Sequence, residues 1–346
     1  MITNGVYFDN IHSFDDLGLI LSAVEIPPAK AKTNYLDIPG ADGSVDLTEA
    51  LGEVKYNDRD GAKFTFTMNP DGDLSESAWE AKKTEISNLL NGKRCRVRLD
   101  KDPNYYYLGR CSVDNYLSDK RIRQIVVTGR FAPWKWKLNK TNKVAHFCGK
   151  NLFVDDSSKY TRPRDYFVCP IALEWGKTYT ASVRLTGTAM TNIVVALAPH
   201  SDKYADFKDG MISLIKIGGS YYATTTFTVD ETWTAPKLAI YSAEDSVASV
   251  FANYDIQLEV GSAPTAYEAY TPFADVQVIT LTNARKTVTP EIAVTGEASV
   301  TFPGFGKFTL GAGTHKVLDF QLHEGETPVT VSGTGSIAFM YQEGDL

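Results

Sequence analysis

The sequence predicts a mainly β protein, built from sandwiches or barrels, with one α-helix near residue 80. Three observations predict it. Short segments alternate apolar and polar residues at the period of two expected of a half-buried strand. In the last seventy residues Gly and Pro punctuate such segments at intervals of about ten, the spacing of turns in a sandwich. Only one stretch carries the 3.6-residue period of an amphipathic helix.

That stretch is SAWEAKKTEISNLLN, residues 77–91. Ser77 with Glu80 reads as a capping box, Trp79, Lys83, Ile86 and Leu90 fall on one face, and Gly92 closes the segment as a C′ residue. Next comes RCRVRL, where Arg94, Arg96 and Arg98 point to one face of a strand and Cys95, Val97 and Leu99 to the other. Further on, YTASVRL places Tyr179, Ala181, Val183 and Leu185 on one face and polar or charged residues on the opposite one. EIAVTG, ASVTF, TPVTVSG and SIAFMYQ complete the pattern at the C-terminal end. In DIPGADGSVDLTEALG, Pro39 fixes a turn, Gly40 and Gly43 allow positive φ, and Asp42-Gly43 is a turn dipeptide between extended runs, the mark of a hairpin.

Composition bounds the function. The 346 residues are 43% apolar and 22% charged, enough to bury two or three cores. A net charge of −7 argues against a dedicated nucleic-acid binder. Its distribution is uneven: residues 1–80 hold 5 Lys/Arg against 15 Asp/Glu, and residues 81–140 hold 15 against 5. A unit polarised in this way can meet copies of itself acidic side to basic side; the plainer reading is charge scattered over solvated faces. Cys95, Cys111, Cys148 and Cys169 have no CxxC or zinc spacing and read as packed thiols of a protein folded in a reducing cytoplasm, with one disulfide pair as the alternative. The acidic start MITNGVYFDN and the lack of a long apolar run predict a soluble chain with neither a cleaved signal nor a membrane span. His12, His146, His200, His315 and His323 share no ligand spacing, no GxSxG surrounds a serine, and there is no phosphate loop, so no enzyme is expected. A glycosidase pair such as Asp155 with Glu174 has no motif behind it.

One ordered series of short motifs says more. Asp16-Leu17-Gly18-Leu19, Ile26-Pro27-Pro28-Ala29-Lys30, Ile38-Pro39-Gly40, Asp42-Gly43-Ser44, Asp46-Leu47-Thr48-Glu49-Ala50-Leu51-Gly52 and Tyr56-Asn57-Asp58-Arg59 precede the helix, and RFAPWKWK ends the region near residue 140. The series resembles the N-terminal domain of the distal tail protein (Dit) of siphophages. Thr289-Pro290 with its EIAVTG strand, Leu310-Gly311-Ala312-Gly313-Thr314 and the ending FMYQEGDL resemble the C-terminal galectin-like sandwich of the same family. Between them, Asn151-Leu152-Phe153, Thr178-Tyr179-Thr180-Ala181-Ser182, Ile256-Gln257-Leu258-Glu259-Val260-Gly261 and Pro264-Thr265-Ala266-Tyr267-Glu268 are similar to jelly-roll carbohydrate-binding modules of phage tail proteins. The resemblance implies a belt domain over 1–140, a β-barrel or sandwich with one helix. It also implies a discontinuous galectin-like sandwich over 141–149 and 273–346, and an inserted jelly roll over 150–272, the "evolved" form of the family. A domain fits into a surface loop when its two ends lie close together.

The function implied is that of a structural, non-catalytic hub of a phage tail tip or baseplate. It would be a ring, a homo-hexamer, assembled in the host cytoplasm and carried on the virion. Its partners would be the tail tube protein, the tail-associated lysin or tip protein and a receptor-binding protein, with no sequence-specific nucleic acid and no membrane. The inserted module would bind a host cell-wall or capsular polysaccharide during adsorption; the alternative is a docking or spacer domain with no sugar ligand. Flat aromatic rings stack on pyranose faces, which makes Trp175, Trp233, Tyr204 and Tyr166 the candidate sugar contacts, each equally open to a packing role. Arg94, Arg96 and Arg98 are the candidate ring-interface or lumen residues, and on a monomer they form a solvated face. No cofactor is implied. Jelly-roll modules often hold a structural calcium, but no loop of regularly spaced carboxylates identifies a site for one.

Overall fold

A computed structural model describes residues 5–50, 52–118, 123–154, 156–160, 166–187, 193–198, 209–213, 215–217, 220–234, 236–242, 246–272 and 276–346. The chain is mainly β, with short helices, and divides into two compact units. The first holds Met1–Leu138, Ala284–Lys286 and Glu343–Leu346; the second holds Asn139–Asn283 and Thr287–Gln342.

The first unit is built on one eight-stranded sheet. Its strands are β1 (Val6–Phe8), β2 (Ile11–His12), β3 (Leu19–Glu25), β6 (Arg59–Met68), β7 (Arg94–Leu99), β8 (Tyr105–Ser118) and β9 (Arg123–Lys137), in the order β2-β1-β7-β8-β9-β6-β3. The C-terminal Gly344–Asp345 pairs with Trp136 and Lys135 of β9. Strands β4 (Tyr35–Asp37) and β5 (Ser44–Asp46) form a separate hairpin, whose turn has Gly40 at φ 86° and Gly43 at φ 75°. The Ser44 hydroxyl donates to Asp37 Oδ1 at 2.5 Å across its mouth. Every residue of the two hairpin strands is exposed, including Tyr35, Leu36 and Val45.

Helix α1 (Glu76–Leu90) covers the sheet's apolar side, adding Trp79, Ile86 and Leu90 to a core of Phe8, Phe64, Phe66, Val97, Ile125 and Phe131. Full burial of one such side chain contributes about 1.5–3 kcal/mol. The expected cap at Ser77 is corrected: Ser75, two residues earlier, holds the extended N-cap conformation, and its Oγ accepts the Ala78 N–H at 3.2 Å. Arg123 Nη1 donates to the carbonyl oxygens of Leu74 and Ser75, fixing the helix start on β9. Lys83 on the same face is half-buried, its ammonium 5.4 Å from the Tyr116 ring centroid and paired with Glu80 at 2.6 Å.

Strands β8 and β9 slip in register between Tyr107 and Gly109, and glycine makes the slip feasible. A Cβ on Gly109 would overlap the Arg130 carbonyl and come within 2.6 Å of the Phe131 ring, and one on Gly129 would lie 2.7 Å from the same ring. Phe131 is fully buried in the space these two residues leave.

The second unit holds two separate large cores. One lies between the sheet of Thr141–Phe147, Gly335–Tyr341, Glu291–Val294 and Gly313–His315 and the sheet of Gln277–Asn283, Gly325–Gly333, Ala298–Phe302 and Gly306–Leu310, with Phe147, Val300, Phe320 and Phe339 at its centre. The other lies between the sheet of Tyr166–Val168, Lys237–Ser242, Ile193–Ala198 and Asp209–Ser213 and the sheet of Ile215–Ile217, Ser220–Thr228, Thr178–Leu185 and Tyr254–Val260, with Tyr179, Val195, Ile240 and Leu258 inside. Between these cores the chain passes out and back side by side: Cys148 bridges Pro272, and the Gly149 N–H donates to the Thr271 carbonyl at 2.8 Å.

Thr180 and Ser182, on the face of Thr178–Leu185 expected to be polar, are buried like Tyr179, Ala181 and Val183. Residues 261–272 return beside that face and are tied down by a buried polar network. Glu259 accepts the N–H and hydroxyl of Thr265, the Glu268 N–H donates to Gln257 Oε1, and the Asn151 amide donates to the carbonyls of Ile256 and Glu268. Burial alone would raise the Glu259 carboxyl, but the bonds from Thr265 and Gln257 and the Lys150 ammonium outweigh it and hold that group below its ordinary value.

Candidate functional site

In the first unit the charged feature is the outer face of β7 and its neighbours. Arg94 and Arg96 are exposed and Arg98 is half-buried, while Cys95 and Val97 on the same strand are buried, as the alternation predicts. The three arginines are held differently. The Arg98 guanidinium lies 4.0 Å from the Tyr7 ring centroid and that of Arg96 5.2 Å from Tyr106, both within cation–π range. The Asp9 carboxylate accepts the Arg96 backbone N–H at 2.9 Å.

Arg94 stands directly opposite Arg110 of β8, and Arg110 opposite Arg130 of β9. Neither Arg110 nor Arg130 is among the sequence candidates. Both fall at outward-facing positions of strands, but alignment with Arg94 depends on a register that no local pattern reveals. Asp60 of β6 continues the row beyond Arg130.

In the second unit, Trp175 and Trp233 are partly buried and pack against the core of the 150–272 segment. They sit on adjoining turns, since the Gly176 N–H donates to the Val229 carbonyl at 2.7 Å and the Val229 N–H to the Lys177 carbonyl at 3.0 Å. The structure thus brings these two candidates to one end of the segment. The Trp175 indole N–H is buried without a hydrogen-bond partner. Tyr166 lies opposite Tyr241 at the start of Tyr166–Val168, and its side chain lies outside the described residues, as does all of Tyr204.

Beside Trp175, the buried Glu174 joins residues that sequence reasoning left apart. Its carboxylate faces Lys177 at 3.1 Å and Lys143 at 3.6 Å and accepts the Val144 N–H at 3.3 Å. The Asn142 amide donates to the Leu173 carbonyl at 3.2 Å and the Ala172 N–H to the Ser336 hydroxyl at 3.2 Å. Residues 172–177 are thereby stitched to Thr141–Phe147 and Gly335–Tyr341. Close by, burial and then the Lys177 charge push the His146 imidazole down to about 4.

A solved structure, the SPP1 Dit (gp 19.1) protein, described as a paradigm of the hub adsorption apparatus in phages infecting Gram-positive hosts, is similar to this chain. The likeness covers 99% of each chain at 11% sequence identity, with a TM-score of 0.40. No protein-family model matches the chain, and no curated protein matches it.

The four cysteines are free and buried; burial raises the Cys148 thiol to about 11. Among the described residues no group of three or more His, Cys, Asp or Glu is placed to hold a metal ion. No described helix is long and apolar enough to cross a membrane.

Proposed function

We propose that this chain is a distal-tail-type hub of a siphophage tail tip, a virion structural protein without catalytic activity. Residues 1–140 form the ring-building domain, 141–149 with 273–346 form a galectin-like sandwich, and 150–272 form an inserted jelly-roll module. The observation that carries the reading is the ordered motif series from Asp16 to Arg59, continued by the helix, the basic strand and the C-terminal ending. The close pairing of Gly149 with Thr271 supports an insertion, because it lets a complete domain be added at one point of a host sandwich.

Six copies assemble head to tail, the acidic region before residue 80 of one meeting the basic region of the next. Ring closure requires a heterologous interface of this kind. Arg94, Arg96 and Arg98 lie at that interface or on the lumen. The ring joins the tail tube protein on one side to the tail-associated lysin or tip protein and a receptor-binding protein on the other. Triple reversal of these arginines to Glu should abolish the oligomer seen by light scattering; an unchanged mass would remove the charge-complementary interface from the account.

The inserted module binds host cell-wall or capsular polysaccharide through Trp175, Trp233, Tyr204 or Tyr166, and six copies on one ring turn weak contacts into firm attachment. One observation favours a second reading, a docking or spacer module with no sugar ligand: Trp175 and Trp233 already spend part of their surface on the module's core. A glycan array probed with the full chain and with a chain lacking residues 150–272 decides between them. Binding lost with the module supports the sugar reading, and no binding by either chain supports the spacer.

A further inference from the structure

The outward row Arg94–Arg110–Arg130 is an arrangement that a sheet ordinarily avoids. Residues directly opposite on neighbouring strands share a face, and like charges so placed repel. All three side chains are exposed. With neighbouring strands about 4.8 Å apart, the row spans roughly 10 Å. Internal compensation reaches only one end of it: Arg130 Nε lies 3.0 Å from Asp58, whereas Arg110 Nη1 donates to the Gly92 carbonyl at 2.5 Å. Among the described residues no carboxylate lies within ion-pair distance of Arg94 or Arg110.

Beside this row lies a cleft of about 360 Å³, with Gly61, Gly92 and Gly129 on its walls and the hydroxyls of Ser112 and Thr128 next to Arg110 and Arg130. None of the residues lining it carries a large apolar side chain. A docked peptide draws its affinity from apolar and aromatic anchors in pockets, which this cleft does not offer. Guanidinium forks with adjacent hydroxyl donors instead suit the several oxygens of a phosphate, and the open space beside Gly61 and Gly92, where an added Cβ would meet nothing within 4 Å, lets a bulky tetrahedral group come close. The Asp60 carboxylate turns an anion away from its own end of the cleft and toward Arg110, and Arg94, outside the cleft, continues the row beyond Arg110. A row this long exceeds the reach of a single small anion but can be followed by a chain of successive ones.

We propose that this face is a binding site for a phosphodiester chain, with Arg94 and Arg110 as its principal contacts and Arg130, Ser112 and Thr128 completing it. The site's residues all belong to a single chain, and in a ring of the kind proposed above it requires Arg94 to face the lumen rather than the subunit interface.

The test measures binding of the full-length protein to a fluorescent single-stranded oligonucleotide, to poly(glycerol phosphate) and to polyglutamate of matched charge. The Arg94→Gln/Arg110→Gln variant is compared at matched circular dichroism and thermal midpoint. If three arginines engage phosphates, binding should weaken roughly 20-fold between about 50 and 200 mM salt, and in the variant only roughly threefold. Binding of the oligonucleotide alone identifies a base-bearing source, binding of poly(glycerol phosphate) alone a base-free polymer, and binding of both a site that reads only the backbone. Should the double variant misfold, Arg94→Gln alone, on an exposed side chain, must still flatten the salt dependence. Failure of both phosphodiester probes to bind, equal binding by the variant, or polyglutamate binding as tightly as either probe would overturn the assignment.

Discussion

Glu259 accepts both the backbone N–H and the hydroxyl of Thr265, at 2.8 and 2.7 Å, and this pair fastens the returning 261–272 segment beside the sheet. Because the carboxylate is buried, removing a donor leaves it partly unsatisfied, at a cost of about 1–3 kcal/mol. Thr265→Val should therefore lower the unfolding midpoint of the second unit in calorimetry. The Glu259 carboxyl is held below its ordinary value, so its stabilisation is present above about pH 4.5 and is lost as pH falls through the lowered value. Glu259→Gln should remove that part of the acid sensitivity.

His146 acts in a different window. Its imidazole is pushed from 6.5 down to about 4, so at pH 7 it is neutral in the folded chain and mostly neutral in the unfolded one, and it contributes little to pH dependence there. Between pH 6.5 and about 4 the unfolded chain binds the proton more readily, and stability falls as pH drops, by at most about 3 kcal/mol. Denaturant titrations at pH 7 and pH 5 should show this loss in the wild type, and His146→Gln should show a much smaller one.

Gly109→Ala should destabilise the first unit by about 1–3 kcal/mol, since the new methyl meets the Arg130 carbonyl and the buried Phe131 ring. The check is chemical denaturation, with the circular dichroism of the native state monitored for a shift in sheet content. A neutral Gly109→Ala would mean that the β8–β9 bulge relaxes easily.

The helix cap separates two serines. Ser75→Ala should cost about 1 kcal/mol, the usual worth of an N-cap side chain, and Ser77→Ala should cost clearly less. Equal losses would point to a shared role for the two hydroxyls, whose oxygens lie 3.1 Å apart.

Period and parity made much of this molecule legible in its sequence. The alternation of Arg94–Leu99, the helix face of Trp79, Ile86 and Leu90, and the Asp42-Gly43 hairpin are local properties, and the fold keeps them. Ser75 and Ser77 both precede the same apolar face, and the choice between them rests on Arg123, which grips the helix start from β9. The buried Thr180 and Ser182 look solvent-facing because the residues that tie the returning segment down, Gln257, Glu259 and Thr265, lie some eighty positions away. The same holds for the candidate site: Arg94 is visible as one tooth of a basic strand, whereas Arg110 joins it only through the β7–β8 register and Arg130 only through the β8–β9 pairing that follows the slip at Gly109.

Negative-stain images and light scattering of the purified full-length protein test the hub reading at its root. Rings of six subunits, with a mass six times that of one chain, are the expected result; a chain that stays monomeric across the micromolar range at low salt would contradict it.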